Sequence, residues 1–302
     1  MPSVYFNVLC DYMPELPEVE TTKLQLQKYL IGHKIEDIDV RYRKKFEGDE
    51  KKLTGGRIVE IRRFGKVQSI DLDNGYSILV HIKLTGQLIY RGPNLKTTPH
   101  ISKKVIGGLE GKHTHIIFHL DQGGKLYYND VRKFGWIRLV ESKQVTSDKF
   151  IGKLGPEPQV AQGSAGRSPL TLETFRRILS KSSRPIKILL LDQSKISGVG
   201  NIYANDALWL AKISPRIPAK QLNNEAIEQL YEAIHKVLKA GLKYGGASEL
   251  AYVTPDGTEG DYQNHTLIYG REGEKCKNGC GSIIEKIKLG GRGTYFCPTC
   301  QC

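Results

Sequence analysis

The chain has 302 residues, enough for at least one full hydrophobic core and more naturally two. Hydrophobic residues make up 39% and charged residues 25%, an ordinary balance, but Lys and Arg outnumber Asp and Glu by 45 to 32. The net charge of +13 favours a polyanionic partner, nucleic acid ahead of an anionic membrane. No apolar run is long enough to span a bilayer, and residues 1–10 lack the basic region and cleavage site of a signal peptide, so the expected location is the cytoplasm.

Residues 1–12 carry no recognisable chemistry. The stretch PELPEVE, 14–20, reads as a helix start. Pro17 suits the first helical position, Glu18 and Glu20 complement the positive end of the helix dipole, and the apolar stripe Val19, Leu26 and Leu30 runs on to a stop at Gly32. From 34 to about 140 the pattern predicts short strands at 34–42, 58–64, 68–72, 77–84, 114–120, 125–129 and 135–140. Asp73-Asn74-Gly75 and Gln122-Gly123-Gly124 sit between strands as hairpin turns should. One helix followed by these strands reads as an antiparallel sandwich or barrel, and the Gly- and Lys-rich segment 96–112 as a long loop.

Composition shifts after Val140. LGPEPQ (154–159) and AQGSAGRSP (161–169) look like an interdomain linker. Helical patterns follow at 170–179, 186–191, 202–211 and 224–244, the last ended by Gly245-Gly246. A polar stretch, 247–264, leads to the C-terminal cysteines.

Of six cysteines, only Cys10 lies outside the C-terminal cluster of Cys276, Cys280, Cys297, Cys300 and Cys302. A disulfide framework would spread them, whereas this clustering is that of a local metal site in a reducing compartment. Cys276-x3-Cys280 and Cys297-x2-Cys300 suit two thiolate knuckles closing a tetrahedral zinc site, with Cys302 as a competing ligand. Four thiolates leave no open coordination position, so the expected metal is structural. The alternative, a redox pair at Cys297 and Cys300, lacks its usual strand-to-helix context. Between the knuckles, 283–296 alternates like two strands with Gly290-Gly291 at the turn, and Arg292 just beyond it is well placed to grip phosphate.

SGVGNIY, 197–203, offers two glycines and a helix N-terminus, a setting in which outward amides and Asn201 can hold a phosphate. A tight connection explains the same glycines. NDVRKFGW (129–136) and HIKLTGQL (81–88) fall at hairpin-like positions where Arg132, Phe134 and Leu84 could wedge into a base stack, with His81 and Lys66 on the backbone. Core Phe and Leu with a solvated Arg is the competing reading.

Together these motifs resemble those of the bacterial formamidopyrimidine-DNA glycosylases. PELPEVE, HIKLTGQL, NDVRKFGW, LGPEP, LDQSKISGVGNIYANDALW, IYGREGEKC and RGTYFCPTC stand in that family's order from Pro14 to Cys300. The resemblance implies an α+β fold: an N-terminal antiparallel β-sandwich with a leading helix, a helical helix-two-turn-helix domain, and a zinc-finger β-hairpin. The expected boundaries are an extension at 1–12, the catalytic sandwich at 13–145, a linker at 146–170, the helical domain with a lesion loop at 171–270, and the zinc hairpin at 271–302. It implies base-excision repair of oxidised purines, 8-oxoguanine and formamidopyrimidines, in double-stranded DNA, with one structural Zn2+ on Cys276, Cys280, Cys297 and Cys300; nothing in the sequence suggests an obligate interface, and a monomer is the default expectation.

By that resemblance Pro14 is the nucleophile, forming a Schiff base at C1′ that leads to β,δ-elimination, and Glu15 is the general acid/base. Lys66 joins them in the catalytic group. Leu84, standing where the family commonly has methionine, fills the gap left by the flipped base together with Arg132 and Phe134. His81, Asn201 and Arg292, with Lys66, match phosphate-holding positions, and Tyr269 and Lys286 are further carry-overs. The segment 245–264 matches the loop that closes over an extruded base, and Glu18 is expected to orient the helix start.

Two features depart from the pattern. The first zinc knuckle has three intervening residues where two are common. Twelve residues and Met13 precede Pro14, making its nitrogen a tertiary amide with no free lone pair. The expectation is that translation begins at Met13, which is then removed. A catalytically silent binder of damaged or abasic DNA is the alternative if Pro14 stays blocked, and pyrimidine-lesion specificity is a further one.

Overall fold

The computed structural model describes residues 13–97, 99–160 and 168–301. The expected N-terminal extension, most of the run 161–169 and Cys302 lie outside the described residues. Helix α1 (Leu16–Leu30) starts at PELPEVE, with Leu16 as its first residue and Pro17 second, inside the turn that needs no backbone donors. The Glu18 carboxylate accepts the Glu15 N–H at 2.8 Å, closing the start of the helix. Its inner face, Val19, Leu26 and Leu30, is buried as the stripe demands.

Nine strands follow in chain order: β1 (Ile35–Val40), β2 (Phe46–Glu47), β3 (Ile58–Phe64), β4 (Val67–Leu72), β5 (Tyr76–His81), β6 (Gly86–Arg91), β7 (Thr114–Leu120), β8 (Lys125–Asp130) and β9 (Trp136–Glu141). They form a four-stranded sheet, β1-β7-β8-β6, facing a five-stranded one, β2-β9-β5-β4-β3. Ile70, Ile78, Val80, Leu88, Tyr90, Ile116, Phe118 and Tyr128 fill the space between them together with Leu26 and Leu30 of α1. The sandwich is not wholly antiparallel, because the two-residue β2 pairs β9 in parallel through Phe46 and Ile137.

The single strand expected over 77–84 is also different. The chain leaves the five-stranded sheet at His81 and enters the other at Gly86, a strand start that no turn signature marks. Lys83 adopts a positive φ of 52° in this crossing, and the Gly86 N–H donates to the Ile82 carbonyl at 2.8 Å. The connection from β8 to β9 crosses between the sheets at the same edge, since β5 pairs β9 (His81 opposite Trp136) and β6 pairs β8 (Gly86 opposite Asp130).

The second half packs α2 (Leu172–Ser180), α3 (Ile186–Leu190), α4 (Asn201–Leu210) and α5 (Asn224–Lys243) around Phe175, Leu189, Tyr203, Leu230, Ile234 and Val237. The Thr171 and Asn223 side chains cap α2 and α5 by accepting from Thr174 N at 3.1 Å and Ala226 N at 2.8 Å. The hairpin β10 (Glu285–Leu289) and β11 (Arg292–Phe296) adds Tyr295 and Cys297 to that same core, and Leu16 joins it from α1. Its Gly290-Gly291 turn has positive φ at both residues.

Segment 245–264 docks back on the strand half. The Tyr90 N–H on the outer edge of β6 donates to Pro255 O at 2.7 Å, and Ser102 N–H to Gly257 O at 2.9 Å. Val253 packs with Ile89, Val105, Ile117 and Tyr127, so the lysine-rich loop 96–112 is held between the two.

Candidate active site

The site is built where α1 meets α4. Glu15, one residue after Pro14, is fully buried with its carboxylate on the amide end of α4. Ile202 N–H donates to Oε1 at 2.8 Å and Tyr203 N–H to Oε2 at 3.4 Å. A helix N-terminus is a ready anion site, and here an internal carboxylate takes it. The two glycines of SGVGN permit this approach. A Cβ on Gly200 would lie 2.3 Å from Glu15 Cδ, and one on Gly198 would lie 2.6 Å from Leu16 Cδ1. The expected outward cradle for phosphate is thus, at Ile202 and Tyr203, turned inward to the acid.

Burial raises Glu15 from its ordinary 4.5 to about 7, against the opposing pull of Lys66 and the two amides. Glu18 is buried beside it and raised for the same reason, although its carboxylate is fully engaged. It accepts from Glu15 N at 2.8 Å, Tyr203 OH at 2.7 Å and Ala247 N at 2.7 Å. Glu18 therefore ties the helix start to α4 and to the 245–264 segment, the orienting part expected for it.

Lys66 occupies the β3–β4 turn, buried. Burial pushes its ammonium below the usual value, while the nearby Glu15 and Glu18 oppose that shift and Arg292 and Lys83 add to it. The turn is fixed from beneath by an ion cluster that no sequence signal marks. Arg63 Nη1 and Nη2 donate to Glu157 Oε2 and Oε1 at 2.7 and 2.6 Å, Arg63 Nε to Glu20 Oε2 at 2.7 Å, and Gly65 N–H to Glu157 Oε2 at 2.8 Å. Arg63, Glu20 and Glu157 are all essentially inaccessible to solvent. LGPEP, read as a linker, thus supplies the Glu157 anchor.

Arg292 reaches Lys66 electrostatically from the zinc hairpin. Its neighbour Gly293 is held by Asn201 Nδ2, which donates to Gly293 O at 3.1 Å, and by the fully buried Lys187 Nζ, which donates to the same oxygen at 2.7 Å and to Thr294 Oγ1 at 2.7 Å. Tyr269 is buried against the Tyr295 ring, and its N–H donates to Asp206 Oδ1 at 3.0 Å. Lys286 is exposed on β10, 3.6 Å from Glu272 and over the Tyr295 ring. Lys187 and Asp206, the latter also accepting from Leu267 N, Ile268 N and Tyr262 OH, are anchors that the residue pattern does not disclose.

The two sheet crossings carry Leu84 on one and Arg132 and Phe134 on the other. Thr85 joins them: its hydroxyl donates to Asp130 Oδ1 at 2.5 Å and accepts Arg132 N–H at 2.9 Å. Gly135 N–H closes the second loop on Asp130 Oδ2 at 2.8 Å. Phe134 is 51% exposed, and the half-buried Arg132 guanidinium lies 4.8 Å over its ring, so a large aromatic projects from the surface backed by a cation. His81 lies at the base, buried against Trp136 and Phe150. Burial, with Lys83 and Lys66 nearby, holds its imidazole well below the usual range, so the ring is neutral at pH 7. Its Nδ1 accepts Lys83 N–H at 3.2 Å, which leaves the proton on Nε2. The chain thereby brings Pro14, Glu15, Lys66 and Arg292 into one neighbourhood, with His81 bordering it and the two sheet-crossing loops beyond.

Known proteins match this arrangement over most of the chain, from residue 13 to residue 301. Residues 13–137 match the formamidopyrimidine-DNA glycosylase N-terminal domain, 154–251 the family's H2TH domain, and 273–301 a zinc finger found in these enzymes and in IleRS. A formamidopyrimidine-DNA glycosylase of Lactiplantibacillus plantarum is 39% identical, covering 95% of this chain and 98% of that one. The chain belongs to the formamidopyrimidine-DNA glycosylase family. One from Desulfitobacterium hafniense is 37% identical over 96% of this chain and its own full length. Among solved structures, the Lactococcus lactis Fpg in complex with DNA containing an abasic site is 36% identical with a TM-score of 0.80, covering 95% of this chain and 99% of that one. Thermus thermophilus MutM (Fpg) is also 36% identical, with a TM-score of 0.79, covering 95% and 98%.

The family's zinc finger is present in its chemistry. The Sγ atoms of Cys276, Cys280, Cys297 and Cys300 all lie within 4.8 Å of one another, with Cys276–Cys300 at 3.9 Å and Cys280–Cys297 at 3.5 Å. A tetrahedron with zinc–sulfur bonds of about 2.3 Å has edges of about 3.8 Å, so the four thiolates fit one zinc ion and none is within disulfide distance. Trp209 Nε1–H donates to Cys276 Sγ at 3.4 Å and Cys300 N–H to Cys297 Sγ at 3.4 Å, contacts that favour thiolate. The extra residue in the first knuckle leaves the set intact. Among the described residues no helix is long and apolar enough to cross a membrane.

Proposed function

We propose that this chain is a base-excision DNA glycosylase and abasic-site lyase for oxidised purines in double-stranded DNA, with the Pro14 nitrogen as nucleophile. The observation that carries this is Glu15: a carboxyl raised to about 7 stands next to Pro14 in the chain, buried at the amide end of a helix. A group that titrates there both gives and takes protons at neutral pH.

In the reactive form Pro14 carries a free secondary amine. An α-amino group has a pKa near 8, so roughly a tenth is neutral at pH 7, far more than for an untuned lysine. Its lone pair attacks C1′ of the damaged nucleotide, and the bond from C1′ to the base breaks with its electron pair leaving on the base, which takes a proton. The nitrogen then loses its proton and its lone pair opens the sugar ring, breaking the C1′–O4′ bond as O4′ takes a proton, and the iminium so formed acidifies the 2′ hydrogen. Loss of that proton expels the 3′ phosphate, and a second elimination expels the 5′ phosphate. Glu15 moves protons at the sugar and the leaving groups, and Lys66 holds its charge in check while pairing with the DNA backbone.

The base must leave the stack to be reached, and Leu84, Arg132 and Phe134 enter the gap together because Thr85 couples their loops. His81 offers a neutral Nε2–H to phosphate, and Arg292 with Lys286 a charged grip from the zinc hairpin. Asn201 and Tyr269 serve that grip by holding the hairpin in place. The structural zinc fixes the hairpin's ends. A DNA repair enzyme of this kind works in the cytoplasm, at the nucleoid.

The second reading is a silent damaged-DNA binder, favoured by one fact: in the encoded chain Pro14 is acylated by Met13. Borohydride trapping on an 8-oxoguanine duplex, with intact mass of protein made from its own gene, separates the two. An adduct and a mass beginning at Pro14 are expected. Tight duplex binding without an adduct, from a chain that keeps Met13, would establish the silent binder.

A further inference from the structure

Next to Pro14 a cleft of about 10 Å³, walled in part by Met13, lies between the start of α1 and the segment that follows α5; loss of Met13 would widen it, and most of the remaining wall is already committed. Pro14, Ala247 and Leu250 are apolar there. Glu18 accepts three hydrogen bonds within the protein, and the Tyr252 hydroxyl is placed between Glu18 O at 3.1 Å and Gly245 O at 3.2 Å. The polar side chain left over is Glu249. Among the described residues its carboxylate makes no hydrogen bond or ion pair, although it is partly buried in the cleft wall. Lys104, the nearest opposing charge, instead donates to Ser248 O and pairs with Glu259 at 2.6 Å.

We propose that Glu249 is a specificity-determining residue whose carboxylate reads the edge of the extruded base. Two acceptor oxygens side by side match an edge with two adjacent N–H donors, which guanine-type purines present at N1 and N2. Adenine-type bases present an acceptor nitrogen and a donor there, and thymine-type pyrimidines an N–H flanked by carbonyls; each sets at least one acceptor against a carboxylate oxygen. Burial raises the Glu249 carboxyl above its ordinary value, with Lys104 opposing, so the group sits in a partly desolvated place where an unmatched edge is costly. This inference rests on the glycosylase reading above, because only an enzyme that extrudes a base presents one to the cleft.

The test uses the chain beginning at Pro14, with its zinc, and three duplexes, carrying formamidopyrimidine-guanine, formamidopyrimidine-adenine or an abasic site. In Glu249→Gln and Glu249→Leu the ratio of guanine-lesion excision to abasic-site incision should fall roughly 10- to 100-fold, the effect of losing charge-assisted hydrogen bonds. Glu249→Gln, whose amide offers one acceptor and one donor, should also turn preference toward the adenine lesion, whereas Glu249→Leu should not. A guanine-lesion to abasic ratio equal to the parent's in both variants would overturn the assignment, as would a parallel fall on all three duplexes. Inactivity of the parent chain on the abasic duplex would count against the glycosylase reading instead.

Discussion

Arg63 and Glu157 meet through two N–H···O bonds of 2.7 and 2.6 Å, wholly inside the protein, and the same carboxylate accepts the Gly65 amide next to Lys66. A β3 arginine and a glutamate from the segment between the sheets and the helices thus set the turn that presents Lys66. Removing one partner strands the other charge, which typically costs about 3–5 kcal/mol. Glu157→Gln and Arg63→Met should each lose stability of that order in urea denaturation, and both should weaken incision beyond the unfolded fraction. A loss under about 1 kcal/mol would mean that solvent reaches the cluster.

Glu15 gives a pH dependence of definite sign. Its folded pKa is about 7 against 4.5 for the free group, so the folded chain holds this proton more tightly than the unfolded chain. The resulting stability is fully present below pH 4.5 and is lost as pH rises to about 7. Relative to Glu15→Gln, the parent should therefore become progressively less stable across that window and change no further above it. In single-turnover base release, the parent should lose rate above about pH 7 as its proton donor ionises, and the slow Glu15→Gln variant should lack that limb. The same limb in both would assign it to another group.

Gly200 is a steric test of how Glu15 sits. Its Cβ would fall 2.3 Å from Glu15 Cδ and 2.6 Å from Oε1, so Gly200→Ala must displace the carboxylate or α4. Overpacking of this kind costs about 1–3 kcal/mol, and base release should fall at least tenfold. Gly152→Ala, whose nearest neighbour would be 3.7 Å away, is the matched control and should behave as the parent. Equal activity of the two variants would show that Glu15 tolerates the shift.

The zinc centre has an optical reporter. The chain has two tryptophans, and Trp209 Nε1–H donates to Cys276 Sγ at 3.4 Å. Chelator should release one zinc per chain and change the emission together with a loss of DNA binding, because β11 carries Arg292. In Trp209→Phe the zinc should still leave, with the emission change largely gone. Zinc release with unchanged emission and DNA affinity in the parent would separate the metal from the hairpin.

Much of this was legible because its signals are local. Alternation and turn residues marked most strands, cysteine spacing marked the metal site, and PELPEVE marked α1. What escaped depends on distant partners. Arg63 looks like any exposed strand cation, Lys187 like any helix lysine, and Asp206 like a solvated acid, yet all three are buried because their acceptors or donors lie far away in sequence. The start of β6 escaped because the chain changes sheets through an ordinary-looking Lys83-Leu84-Thr85. The SGVGN glycines were visible, but whether a phosphate or a carboxylate takes the amides depends on a residue 187 positions earlier.

That separation has a consequence for synthesis. The environment that raises the Glu15 carboxyl does not exist until Ile202 and Tyr203 have left the ribosome and α4 has formed against α1. A growing chain that has completed the whole sandwich, both sheet-crossing loops included, still has Glu15 as an ordinary acid. The buried, raised carboxyl is therefore absent until the polypeptide is about two-thirds made.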